Sequence, residues 1–203
     1  MIRRYVRYLT GSLLDIGCGT RPFKELLSVS SYLSIDWSEC VAPDVVAKCE
    51  QIPFKEARFD SVICTELLEH LRQPEECLLE IKRVLKPGGF VYITVPQSWC
   101  LHYEPHDYWR FTKYGIEHIL KKSGFNVLDI ERIGGIFSLI GVRLTDVFWN
   151  ALADGLSFIN RRWAERVASL FCAPLSLIFY CLSKAWDTLG DKDVLGWAVI
   201  ARR

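Results

Sequence analysis

Between Pro96 and Thr112 the chain reads Pro-Gln-Ser-Trp-Cys-Leu-His-Tyr-Glu-Pro-His-Asp-Tyr-Trp-Arg-Phe-Thr, which gathers His102, Glu104, His106, Asp107, Arg110 and several aromatic rings in one loop. An imidazole titrates near neutral pH and can take a proton from a hydroxyl, so His106 or His102 is a candidate general base. Asp107 would orient a ring or pair with Arg110. The plainer alternative is a capping loop in which an Asp107–Arg110 ion pair holds the backbone and the rings only pack.

A second group with chemical potential is Leu13-Leu14-Asp15-Ile16-Gly17-Cys18-Gly19-Thr20, an apolar run entering a Gly-x-Gly turn. Glycines suit a turn where a ligand must approach the backbone or where φ is positive. The next apolar run ends in Ile35-Asp36-Trp37, which puts a carboxylate at a spacing that suits ribose hydroxyls. Where a dinucleotide fold has its third glycine this chain has Pro22, so a pyrophosphate cradle is poorly served and a cofactor without phosphate fits better. A third group, Glu66, Glu69 and His70, has the makings of a metal site. Without a further histidine close in sequence it reads as a solvated face or pocket rim, and no metal is expected.

The elements that must position these groups follow from hydropathy. Apolar, β-branched runs at 12–17, 32–37, 45–49, 59–66, 90–96 and 126–133 predict strands covered on both faces, the pattern of a parallel α/β sheet. The Gly-x-Gly turn is expected to open a helix through Phe23, Leu26 and Leu27. Residues 74–86 place Cys77, Leu78, Ile81, Val84 and Leu85 on one helical stripe, with Pro87-Gly88-Gly89 as the stop. Thr112 is expected to cap a helix through Ile116, Ile119 and Leu120, ended by Gly124, and His118 is expected to lie exposed on it. Residues 194–201 are again strand-like, so 135–186 reads as a helical excursion before the last strand.

With these motifs in this order, the chain resembles the class I S-adenosylmethionine-dependent methyltransferases, especially the type 11 group, over about residues 12–134. The resemblance is carried by Leu-Asp-Ile-Gly-Cys-Gly-Thr, Ser-Ile-Asp-Trp-Ser, Gln-Ile-Pro-Phe at 51–54, Phe-Asp-Ser-Val-Ile-Cys-Thr-Glu-Leu-Leu-Glu-His at 59–70 and Arg-Val-Leu-Lys-Pro-Gly-Gly at 83–89. It implies a doubly wound, mostly parallel Rossmann-like sheet with a helical insertion before the last strand. It also implies S-adenosylmethionine as cofactor. Asp15 with the turn Gly17-Cys18-Gly19 would hold the methionine end, Asp36 the ribose hydroxyls, and Trp37, Gln51 and Ile52 the adenine. Thr65 and Glu66 would border the carboxypropyl chain and sulfonium. Two positions depart from the family: Arg21 where many relatives have glycine, and Lys48 where many have an aspartate for the adenine amino group.

Composition sets the class. In 203 residues, 25 Lys+Arg against 24 Asp+Glu leave a net charge of +1, so no global field favours a nucleic-acid partner. The eight cysteines contain no CxxC pair and nothing at the start reads as a secretory signal, which points to reduced thiols in a cytoplasmic protein. The expected domains are 1–134 with 187–203, and the insertion 135–186. Val167–Ser183 carries no formal charge but is interrupted by Pro174, and Arg161, Arg162, Trp163 and Arg166 precede it. A buried helix pair or dimer face is one reading of the insertion; peripheral contact with the cytoplasmic face of a membrane, with a lipid-linked acceptor, is the other. The expected activity is methyl transfer to an oxygen of a small molecule or saccharide. The rival readings are a non-catalytic scaffold binding a partner or membrane, and an NAD-dependent oxidoreductase.

Overall fold

The apolar runs become strands: β1 Ser12–Ile16, β2 Ser31–Asp36, β3 Val45–Val46, β4 Phe59–Thr65, β5 Leu85–Pro96, β6 Asn126–Ile133 and β7 Gly196–Arg202. The computed structural model describes residues 2–156, 161–187 and 193–203. Leu13, Leu14, Val62, Ile63, Val91, Ile93 and Val199 have no solvent exposure, as expected of central strands with both faces covered. The sheet order is β3-β2-β1-β4-β5-β7-β6. β1 runs parallel to β2 and β4, β2 to β3, and β4 to β5, whereas β7 is antiparallel to β5. From β1 the chain winds outward through β2 and β3, then returns to β4 on the other side. This reversal opens a crevice beyond the carboxyl ends of β1 and β4, the place where open α/β sheets bind ligands.

Helices α1 Ile2–Tyr5, α2 Pro74–Val84 and α3 Lys113–Lys122 accompany the sheet. The stripe of α2 buries Cys77, Leu78, Ile81 and Val84. Thr112 caps α3 by accepting a 3.0 Å hydrogen bond from Gly115 N, and Gly124 follows in a left-handed conformation.

Three expectations are corrected. No α-helix follows the Gly-x-Gly turn: a single 3-10 turn, Lys24–Leu26, stands there, and Leu26 is exposed. Arg21 adopts φ 57°, outside helical space, and proline follows it. β3 stops at Val46 because Lys48–Gln51 closes a turn, Gln51 N donating to Lys48 O at 3.2 Å. Third, α2 ends at Val84, and the Pro-Gly-Gly run lies inside β5 rather than before it. The register skips there, from Phe59 opposite Leu85 to Ser61 opposite Phe90, so the turn-forming residues make a bulge. Gly89 is needed at that bulge, since a Cβ would sit 2.9 Å from the carbonyl oxygen of Asp60.

The chain divides into two units, Met1–Glu131 with Gly196–Arg203, and Arg132–Leu195. Helices α4 Ile136–Leu156 and α5 Arg161–Trp186 pack against each other in the second unit. Gly141 allows close approach, because a Cβ there would meet the Phe179 Cβ at 2.5 Å. Asp187 caps α4, accepting from Phe137 N at 2.8 Å and from the Ser138 hydroxyl. Pro174 lies inside α5. Glu165–Trp186 is long and apolar enough to cross a membrane, and little of it is buried: Leu170, Phe171, Leu177, Ile178 and Tyr180 are exposed. Residues 157–160 and 188–192, and the side chains of Arg161 and Arg162, lie outside the described ones.

Candidate functional site

At the tip of β1, Gly17 N and Cys18 N donate to Ile35 O at 2.9 and 3.3 Å, which ties the Gly-x-Gly turn to β2. Gly19 N donates to Asp36 Oδ2 at 3.1 Å and Ser38 N to Asp36 Oδ1 at 3.0 Å. Asp36 is thereby fixed at the strand tip, with each oxygen keeping a lone pair for a further donor. Gly19 has φ 47°, and a Cβ built on it would meet nothing within 4 Å. The space beside Gly19 is open, as a ligand lying against the backbone requires. Trp37 presents its indole at 69% exposure next to Asp36, a free aromatic face at the site where a base would stack.

Asp15 is buried in β1 and accepts from the hydroxyl of Tyr32 on β2. Burial pushes its carboxyl up to about 6, opposed by the Tyr32 hydrogen bond and reinforced by the charge of Asp36. A buried carboxylate with no cationic partner at hydrogen-bond distance among the described residues, at the crevice of the sheet, suits a cationic ligand. Cys18 is buried and its thiol is pushed up, mainly by desolvation, so it is an inert lining group.

In the turn that follows β3, Gln51 is exposed and Ile52 buried. Ile52 N donates to Glu80 Oε2 at 2.9 Å, and Arg83 donates to Ile52 O at 2.9 Å and Phe54 O at 2.7 Å. Arg83 also grips Glu80 through both of its oxygens, at 2.6 and 2.7 Å. Glu80 and Arg83 thus clamp the Gln51–Phe54 loop onto α2. Sequence reasoning missed this clamp, whose one signal is the i,i+3 acid–base pair on the helix face nearest that loop. Thr65 is half-buried, and Glu66 is exposed with φ 49°, its N donating to Thr94 O at 3.0 Å.

The loop after β5 is built around Asp107 and Arg110. The Asp107 side chain has no exposure and receives two 2.7 Å hydrogen bonds from the Arg110 guanidinium. Arg110 further donates to Cys100 O at 2.7 Å and Trp99 O at 3.1 Å, and His102 N donates to Asp107 Oδ2 at 2.9 Å. The Arg110 pair holds the Asp107 carboxyl well below the usual range, so it stays ionised and carries no proton. Of the two arrangements expected for Asp107 both are present: it pairs with Arg110, and its Oδ2 also lies 3.3 Å from the Nδ1 of the His102 ring. His106 is exposed, with Nδ1 3.3 Å from Tyr108 Oη. Tyr108 N and Trp109 N donate to Glu69 O at 2.8 and 3.2 Å, and Trp109 Nε1 to Leu71 O at 2.8 Å, so the loop is laced to the turn after β4. That lacing brings His102 to His70, ring centres 4.7 Å apart and edge to face. Beside them Glu69 is buried, and burial pushes its carboxyl up to about 8. The further histidine that the sequence lacked nearby is supplied in space.

Residues 14–93 match the family model described as a methyltransferase domain. Among curated proteins the chain is 32% identical over 93 residues to an uncharacterized protein of Methanocaldococcus jannaschii, covering 42% of this chain and 44% of that one. It is 30% identical over 131 residues to a ubiquinone biosynthesis O-methyltransferase of Dechloromonas aromatica, covering 54% and 52%. The chain thus spans about half the length of these relatives. Among solved structures, the [4+2]-cyclase SpnF superposes with a TM-score of 0.61 at 19% identity, covering 100% of this chain and 80% of that one. A SAM dependent methyltransferase from Archaeoglobus fulgidus gives 0.59 at 18% identity, covering 100% and 91%. Phosphoethanolamine N-methyltransferase 2 of Haemonchus contortus, in complex with S-adenosyl-L-methionine, gives 0.60 at 18%, covering 99% and 51%. At these identities the structures establish a shared fold.

Proposed function

We propose that the chain, whose residues 14–93 match a methyltransferase domain, is a class I S-adenosylmethionine-dependent methyltransferase that transfers a methyl group to an oxygen of a small-molecule or lipid-linked saccharide acceptor. The observation that carries this reading is the open space beside Gly19, flanked by the fixed carboxylate of Asp36 and the exposed Trp37. Asp36 would take the ribose hydroxyls, and Trp37, Gln51 and Ile52 the adenine. Asp15 and the turn Gly17-Cys18-Gly19 would hold the methionine end, with Thr65 and Glu66 at the border of the reacting centre. S-adenosylmethionine, when bound, supplies a methyl carbon already activated by its sulfonium.

The protein must then align the acceptor and exclude water, an effect worth up to several kcal/mol, on the order of what proximity and orientation provide. The 97–112 loop is suited to this, being held in shape by the Asp107–Arg110 pair. His106, exposed on that loop, would receive the proton that the acceptor hydroxyl gives up as its oxygen bonds the methyl carbon. His102 is the second base candidate. Asp107, with Oδ2 3.3 Å from His102 Nδ1, would orient that ring as well as hold the loop's shape. The exposed apolar residues of α5, with Trp163 and Arg166 before them, support a peripheral membrane contact and hence a lipid-linked acceptor.

Isothermal titration with S-adenosylmethionine, its demethylated product and NAD tests the core of the reading. Heat is expected for the first two only, and Asp36→Ala should abolish it. No heat for either nucleoside with folded protein would refute the proposal. Flotation with anionic vesicles at low salt tests the membrane contact, and a wholly soluble protein would count against it.

A further inference from the structure

The turn after β4 and the loop after β5 place one ligand atom from each of Glu69, His70 and His102 within 4.8 Å of the others. The Glu69 side chain has no solvent exposure, and neither of its carboxyl oxygens has a hydrogen-bond partner among the described residues. A buried polar group left without a partner costs about 1–3 kcal/mol, so such groups are rare unless something else satisfies them. Backbone carbonyls fix both imidazoles in a tautomer that suits a metal. His70 Nδ1 lies 2.6 Å from His106 O, an atom that can only accept, so Nδ1 carries the proton and Nε2 offers its lone pair, 3.8 Å from Glu69 Oε1. His102 Nδ1 lies 3.1 Å from Cys100 O in the same relation, which leaves its Nε2 unprotonated as well. Metal-binding histidines are held in this way, one nitrogen donating to a carbonyl while the other faces the ion.

We propose that Glu69, His70 and His102 form a binding site for a divalent cation of the zinc class. Two imidazoles and one carboxylate are a donor set that zinc accepts with a further position open. Bonds of about 2.0–2.2 Å require the three atoms to draw together slightly, a movement within reach of side-chain rotation. The open position would take an oxygen ligand, such as a hydroxyl or carboxylate of the acceptor. The sequence alone leads away from this site, since His102 joins it only through the lacing of two loops.

The test is a titration of untagged, chelator-stripped full-length protein with Zn2+ in competition with a chromophoric chelator, without S-adenosylmethionine. One tight equivalent is expected. His102→Ala and Glu69→Gln should each weaken it by about 100-fold, at or above the ~10–100-fold effect of losing an outer-shell partner. His118→Ala, an exposed position on α3, should leave it unchanged. The eight free cysteines are the rival donors, so Co2+ spectra are read as well: imidazole and carboxylate ligation gives weak visible bands without thiolate charge transfer. If Glu69→Gln does not fold, His102→Ala decides. Equal competition by wild type and His102→Ala, or a thiolate band, overturns the proposal. Because no nucleoside is present, that result would leave the methyl-transfer reading standing, and absence of nucleoside binding would leave this one.

Discussion

Replacing Asp15 by asparagine should stabilise the free protein at neutral pH while weakening its grip on the cofactor. Asp15 is 2% exposed, and its carboxyl is pushed up from 3.8 to about 6, first by burial. In the unfolded chain the same group ionises near 4. Below about pH 4 both states hold the proton and Asp15 imposes no cost. Between about 4 and 6 the unfolded chain loses its proton while the folded one keeps it, so stability falls as pH rises. Roughly two pKa units correspond to about 3 kcal/mol, complete once pH exceeds the folded-state value. Asparagine resembles the protonated acid in shape and can accept from Tyr32 without ever ionising. The difference in unfolding free energy, Asp15→Asn minus wild type, should therefore be near zero at pH 4 and climb to about 3 kcal/mol by pH 7.5, as measured by urea denaturation across that range. The variant should bind S-adenosylmethionine more weakly at pH 7.5, and wild-type affinity should fall on acidification through about 6 while the variant's stays flat. A stability difference independent of pH, or one that grows toward acid, would refute the claim that Asp15 is a desolvated carboxylate awaiting a cation.

Arg110→Ala should remove the guanidinium that grips the buried Asp107 carboxylate and cost about 3 kcal/mol in urea unfolding, with faster proteolysis in the 97–112 loop. Arg110→Lys keeps the charge but not the two-pronged grip, and should recover part of that loss. Trp37→Ala should weaken S-adenosylmethionine binding about 2- to 10-fold in calorimetry with no change in melting temperature, because the ring is 69% exposed and supports nothing in the fold. Thr112→Ala should lower stability by about 1 kcal/mol through the lost α3 cap and leave cofactor affinity unchanged.

The strands and caps were legible because their signals are local. Asn126–Ile133 has the predicted bounds, Thr112 donates no surprise as a cap, and the Gly-x-Gly turn and Asp36 meet at adjacent strand tips as their spacing requires. Local signals failed where a backbone angle or a distant partner outweighed hydropathy. The apolar pattern after Gly19 reads as a helix, yet Arg21 at φ 57° followed by Pro22 breaks it. Pro-Gly-Gly reads as a stop, yet the close approach of Asp60 makes it a bulge within β5.

By itself, then, the amino-acid sequence determined the parallel α/β sheet, the bare-backbone turn and the carboxylates beside it, since each depends on residues a few positions apart. Tertiary structure alone decided which distant side chains meet: Glu80 and Arg83 on the Ile52 backbone, His102 against His70, and Asp187 at the start of α4. The physical reason is that hydropathy and turn preference act along the chain, whereas ion pairs, buried carboxyls and ligand sets depend on distances through space, which exist only after the loops have docked.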